Sequence, residues 1–199
     1  VRVACRVAAL TADTTRQMRA GEVDGKSYHF VSREEFERLI REDAFLEYAQ
    51  FGGNYYGTSI KAVQDVNSEA SGHRRAFLDI DAQGMKILRE KHAYLNPIFI
   101  FIAPPRYAVL RDRLEGRATD APEAIQRRLT MAVHEMHNAR KPDAYDYIIV
   151  NDDLDRAYQL LRAAVMQDTA NMQFDQVPAP DDAEHAAQRD LVAQGHQLA

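Results

Sequence analysis

Cysteine occurs once in 199 residues, at Cys5. A lone thiol cannot close an intramolecular disulfide, and it excludes a cysteine-rich zinc site. Long apolar runs are also missing. The longest, Pro97 to Pro105, falls far short of the ~20 residues that a membrane-spanning helix needs. No segment has the pattern of a secretory signal peptide. Positive charge is not in excess either, with 25 Lys and Arg against 30 Asp and Glu and a net charge of -5. Nucleic-acid binders draw affinity from clustered cations that neutralise phosphates, so this balance argues against one. The expectation is a cytoplasmic protein with neither nucleic-acid nor membrane partners.

What is present describes a folded α/β chain. Hydrophobic residues make up 46% and charged residues 28%, and the length accommodates one domain with a full core. Three runs read as buried strands: Ala76 to Asp81, Ile98 to Ile102 and Tyr147 to Val150. Each is nearly all apolar rather than alternating, as expected where a parallel sheet is covered on both faces. Helical spacing follows each one, in Ile87-Leu88, in Tyr107, Leu110 and Leu114, and in Leu154 through Val165. Strands alternating with helices predict a parallel sheet flanked by helices.

The first third predicts something different. Tyr28 to Val31 reads as a short strand, and Ser32 with Glu35 as a capping box opening a helix that buries Phe36, Leu39 and Ile40. Phe45 to Ala49 and Tyr55-Tyr56 flank Gly52-Gly53-Asn54, a hairpin pattern. Together these predict a small β subdomain inserted into the α/β sheet. From about Gln167 the chain turns polar and reads as a tail, with a short helix near Glu184 to Val192. Residue 1 is valine, so the chain reads as processed or partial.

Four motifs bear on chemistry. Gly21-Glu22-Val23-Asp24-Gly25-Lys26-Ser27 looks like a phosphate-binding loop but has three residues between its glycines where four are needed. No buried strand precedes it and no helix start follows, so it reads as a decoy. His134 and His137 stand three apart, not the four of a zinc-binding helix, and read as a solvated face. Arg113 to Arg117 with Arg127-Arg128 fits either a charged surface helix or an arginine lid over a polyphosphate. Asp79 and Asp81 fall at the C-terminal end of a predicted parallel strand, the edge where α/β sheets bind ligands.

Seven collinear motifs then converge. They are Thr14 to Arg19, Gly21 to Ser32, Gly53 to Ser59, Leu78 to Gly84, Phe101 to Pro105, Arg113 to Arg117 and Ile149 to Asp155. In order and spacing they resemble guanylate kinase of the eukaryotic type, from about Thr14 to Val165. The resemblance implies a P-loop nucleoside monophosphate kinase fold, a parallel sheet with an inserted GMP-binding subdomain and an arginine-rich lid. It implies transfer of a phosphoryl group from ATP to GMP, with Mg2+ accompanying ATP, in purine nucleotide metabolism, by a monomer. Arg16, Arg19, Tyr28 and Tyr56 would hold the GMP phosphate, and Glu47 and Thr58 would read guanine. Asp79 and Asp81 would lie near the metal and the acceptor. Arg113, Arg117 and Arg128 would form the lid, and Asn151 would meet the adenine side of ATP. The implied organisation is a kinase-like domain over 1–166, containing a GMP subdomain at 12–61 and a lid at 112–132, then a tail at 167–199.

The sequence also departs from the family pattern. Ala12 stands where the family carries a serine that helps contact guanine, with Asp13 next to it. The lid continues as Ala118-Thr119-Asp120-Ala121-Pro122, without the usual glycine. Residues Val1 to Leu10 contain no Gly-x-x-x-x-Gly-Lys-Ser/Thr, so the first strand and P-loop read as missing and the chain as inactive by itself. The alternative is a non-catalytic guanylate-kinase-like module that binds GMP or a phosphopeptide.

Overall fold

The structure is a computed structural model and describes residues 7–68, 75–80, 82–116 and 121–196. The chain divides into two compact units, Val1–Pro97 and Ile98–Ala199.

In the first unit β1 (Val7–Ala9) pairs in parallel with β6 (Arg75–Phe77). A four-stranded sheet of order β3-β2-β5-β4 forms from β2 (Asp13–Thr14), β3 (His29–Phe30), β4 (Phe45–Phe51) and β5 (Asn54–Ser59). The β4–β5 hairpin turns on Gly52 and Gly53, at φ 57° and 82°. Two consecutive left-handed residues suit the twist of a two-residue hairpin, and glycine adopts them without steric cost. Helix α1 (Arg33–Arg41) opens on the expected Ser32 cap, whose hydroxyl accepts the Glu35 N–H at 3.1 Å, while the Glu35 carboxylate pairs with Arg38 instead of closing the capping box. Its fully buried Phe36 stacks on Phe45 at 4.3 Å and on Tyr55 at 5.1 Å. Burying a side chain of this size contributes about 2–3 kcal/mol. Helices α2 (Ile60–Asn67) and α3 (Ala82–Lys91) complete the unit.

In the second unit β7 (Ile100–Ala103) and β8 (Tyr147–Val150) pair in parallel, Ile100 with Tyr147 and Ala103 with Val150. Around them lie α4 (Tyr107–Gly116), α5 (Pro122–Ala139), α6 (Leu154–Met166) and α7 (Asp182–Ala193). Tyr107, Leu114, Leu129, Val133, Met136 and Leu191 form a core cluster, so α7 packs with α4 and α5. The segment read as a polar tail therefore carries an ordered helix, capped by Asp181, whose carboxylate accepts the Glu184 N–H at 2.8 Å. Ahead of α7, the Asp175 N–H donates to Ile148 O at 3.0 Å. The Asp175 carboxylate in turn accepts the Val150 N–H at 2.8 Å.

Two expected strands differ in extent. Among its described residues the run from Ala76 to Ile80 is strand only to Phe77, because its partner β1 ends at Ala9. The run from Ile98 is strand only from Ile100; the Phe99 N–H donates to the Asp146 carboxylate at 2.7 Å, and its C=O accepts from the N–H groups of both Asp146 and Tyr147. Burial on both faces also fails at Phe77 and Ile102, which are 38% and 45% exposed. Among the described residues no helix is long and apolar enough to cross a membrane.

Candidate functional site

The half of the site expected to hold the acceptor is organised by the pair Thr14-Thr15. Thr14 Oγ1 donates to Tyr55 O at 2.8 Å, and Thr15 Oγ1 accepts the Tyr55 N–H at 2.9 Å. Thr14 Oγ1 also accepts the Arg16 N–H at 3.2 Å. Two hydroxyls thus tie the chain to β5 and set the departure of Arg16. The Arg16 guanidinium lies over the rings of Tyr28 (5.3 Å) and Phe30 (5.7 Å). Tyr28 in turn meets Tyr56 edge-on at 6.0 Å. Arg16, Tyr28 and Tyr56, expected from the sequence to act together, are brought together here.

The cluster includes a carboxylate that sequence reasoning missed. Glu22 accepts from Arg16 at 2.7 and 3.1 Å, and its Oε2 accepts the Arg19 N–H at 2.7 Å. The hydrogen bond from Arg16 holds the Glu22 carboxyl below the usual carboxylate range, helped by the Arg19 N–H. Its only signal in the sequence was spacing, a carboxylate three residues after one arginine and six after another. Arg19 itself is exposed, and its backbone is what joins this cluster.

The loop from Gly21 to Ser27 spends its amides internally. Gly25 N–H donates to Tyr28 O, and Lys26 and Ser27 N–H donate to Val23 O. Val23 N–H donates to Ser27 Oγ, and the Asp24 side chain accepts the Phe30 N–H. A phosphate cradle needs such amides pointing outward, so the loop shapes the arginine cluster instead.

Strand register fixes which side chains share a face, since directly opposed residues project together and neighbours alternate. Thr14 opposes Tyr56, and Glu47 opposes Thr58. Tyr56 and Thr58 are two apart on β5, so the tyrosine expected at the phosphate and both residues expected to read guanine share one face. Thr58 is buried and Glu47 half-buried. A β-bulge between Phe45 and Glu47 sets this phase. Asp79 is exposed beyond the end of β6.

In the second unit Arg113, near the end of α4, donates to Asn151 O from both terminal nitrogens at 3.1 Å. The same loop is held by Arg156, which reaches Val150 O at 3.2 Å, Asp152 at 3.0 Å and Asp175 at 3.0 Å. Two residues expected on the donor side, Arg113 and Asn151, are therefore in contact. Arg128 is exposed on α5. Asp81 and Arg117 lie outside the described residues.

The family model described as guanylate kinase matches residues 6–168. Guanylate kinase of Schizosaccharomyces pombe is 44% identical over 155 residues, 78% of this chain and 74% of that protein. Guanylate kinase of Neisseria meningitidis is 49% identical over 152 residues, 76% and 70% of the two chains. The crystal structure of guanylate kinase from Anaplasma phagocytophilum superposes with a TM-score of 0.56 at 36% identity, covering 80% of this chain and 77% of that one. With an arginine–tyrosine cluster behind a Thr-Thr pair and the family's match running through both units, the chain belongs to the guanylate kinase family.

Proposed function

We propose that this chain binds GMP on the acceptor face of its four-stranded sheet and serves phosphoryl transfer from ATP to that nucleotide. The observation that carries the reading is the shared face of Tyr56, Thr58 and Glu47 beside the Arg16–Tyr28 cluster. Arginine and tyrosine donors match a phosphate dianion. Guanine presents N1–H and a 2-amino group side by side, and the Glu47 carboxylate accepts from both, where adenine would turn a lone pair toward it. A phosphate oxygen of GMP attacks the γ-phosphorus of ATP as the bond to the β–γ bridging oxygen breaks, giving GDP and ADP. The chain's part is to position the acceptor and neutralise charge, with Arg19 beside Arg16 and with Arg113, Arg117 and Arg128 following the transferring group.

Mg2+ enters with ATP and takes most of its ligands from phosphate and water. Among the described residues no three carboxylate, imidazole or thiol groups converge on one point. The described residues therefore form no protein cage for the ion.

Calorimetric titration with GMP and AMP tests the reading. GMP should bind at least about tenfold more tightly, and Glu47→Gln should abolish that preference. Equal affinities in the unaltered chain would remove the guanine assignment. Residues 1–199 contain no Gly-x-x-x-x-Gly-Lys-Ser/Thr, so by themselves they should give no ADP release above background. Adding a family-type strand, P-loop and helix ahead of Thr14 should give turnover. Tight binding of a phosphopeptide in place of GMP would favour the non-catalytic module.

A further inference from the structure

Every backbone polar group from the Val150 N–H to the Asn151 C=O is engaged. The Val150 N–H donates to the Asp175 carboxylate at 2.8 Å, and Val150 O accepts from Arg156 at 3.2 Å. The Asn151 N–H donates to Ala103 O at 2.8 Å, and Asn151 O accepts from both terminal nitrogens of Arg113 at 3.1 Å. With its backbone committed, Asn151 keeps its side-chain amide, a donor beside an acceptor, for recognition. Asp175 enters this clamp twice. Besides Val150 it holds the Arg156 guanidinium with both oxygens, at 3.1 and 3.0 Å. Arg156 continues to Asp152 Oδ1 at 3.1 and 3.0 Å. One carboxylate thus fixes the last residue of β8 and also the arginine that grips the turn after it. Asp175 lies past residue 168, where the family match ends.

We propose that Asp175 is a positioning residue for ATP, holding the turn at Val150 to Asp152 so that Asn151 and the Arg113 docked on it are set for the donor nucleotide. The inference rests on the donor-side reading of Arg113 and Asn151 given above. Each link is a direct hydrogen bond, from Asp175 to Val150, from Asp175 through Arg156 to Val150 O, and from Asn151 O to Arg113. A side chain presented from a fixed backbone loses less freedom when it meets its ligand. The segment that follows the family match thereby becomes part of the donor site.

The test measures ATP and GMP affinities by titrations followed with saturation-transfer NMR on the base protons, which registers weak complexes. Circular dichroism gives the unfolding midpoints and a temperature at which each variant is folded. Asp175→Ala should weaken ATP about fivefold to tenfold and leave GMP unchanged, because the acceptor residues belong to the first unit. Arg156→Lys keeps the charge without the planar fork and should repeat the loss, which covers the case that Asp175→Ala does not fold. Phe174 packs on Tyr147 at 4.4 Å in the same segment. Phe174→Leu should therefore lower the midpoint without weakening ATP. Asn151→Ala should weaken ATP as Asp175→Ala does. If Asn151→Ala loses affinity while Asp175→Ala or Arg156→Lys does not, the inference alone is overturned. An equal loss in Phe174→Leu and Asp175→Ala also overturns it, since Asp175 would then only hold the fold. ATP binding that is absent from the unaltered chain, or unchanged in Asn151→Ala, removes the donor reading and this inference together.

Discussion

Glu22 grips Arg16 with both carboxylate oxygens, at 2.7 and 3.1 Å, while the guanidinium rests on the rings of Tyr28 and Phe30. A bidentate carboxylate fixes the plane of an arginine fork, and a fixed fork loses less freedom when it meets a phosphate. Glu22→Ala should therefore weaken GMP binding about tenfold and leave the preference over AMP unchanged. Phosphate contacts position and base contacts specify, by analogy with nucleic-acid recognition. Calorimetry with both nucleotides reads the two effects separately. A variant that binds GMP as tightly as the unaltered chain would reduce Glu22 to a surface charge.

Gly57 is packed without room for a side chain. A Cβ there would come within 2.9 Å of Tyr48 Cβ and 3.0 Å of Glu47 O and the Phe36 ring. Gly57→Ala must push β5 from β4 or lift α1, at a cost of about 1–3 kcal/mol. Since Glu47 and Thr58 flank the collision, base preference should fall along with stability. Urea unfolding and GMP titration on the same sample check both, and an unperturbed variant would show that the hairpin tolerates the methyl group.

The buried Glu184 forms a bidentate pair with Arg140 at 2.6 and 2.8 Å, and Arg140 also donates twice to Pro178 O. Removing one partner leaves an uncompensated charge inside the protein, so Glu184→Gln should destabilise the second unit by about 3–5 kcal/mol. Replacing both together by Met and Leu should cost far less. Denaturant unfolding of the single and double variants distinguishes these outcomes.

Acid should loosen the same helix. Burial opposes ionisation of Asp181, but backbone N–H groups of Ala108, Glu184 and Ala183 outweigh it and hold its carboxyl below the ordinary 3.8. A depressed folded value means the stability it supplies is fully present above 3.8 and is lost as pH falls through the folded value. Burial gives Asp13 the opposite sign: its cost is present at neutral pH and eases as pH falls through its raised value toward 3.8. The midpoint of Asp181→Asn should thus converge with that of the unaltered chain in strong acid. The gap between Asp13→Asn and the unaltered chain should already narrow in mild acid.

Local signals were legible in the sequence, and long-range ones were not. The Ser32 cap, the Gly52-Gly53 turn and the strand Tyr147–Val150 each depend on neighbours within a few residues, and each stands where expected. A helix near Glu184 to Val192 was expected, but its docking through Arg140 and Glu184, 44 positions apart, is displayed by no local pattern. Strand β2 is two residues long and exists only because β3 and β5 flank it. At the candidate site, Arg16, Tyr28 and Tyr56 were legible through family spacing. Glu22 was not, because it acts by gripping an arginine six positions away.

Asp175 follows β8 on the side away from β7, accepting the Val150 N–H and donating its own to Ile148 O. A strand flank carrying unused donors and acceptors recruits foreign chains, and natural folds cover or interrupt such flanks. The returning segment thus acts as a guard against self-association. Cutting the chain after Gln167 would turn the flank of β8 into an adhesive surface, and the shortened protein should gather into aggregates well before its helices melt.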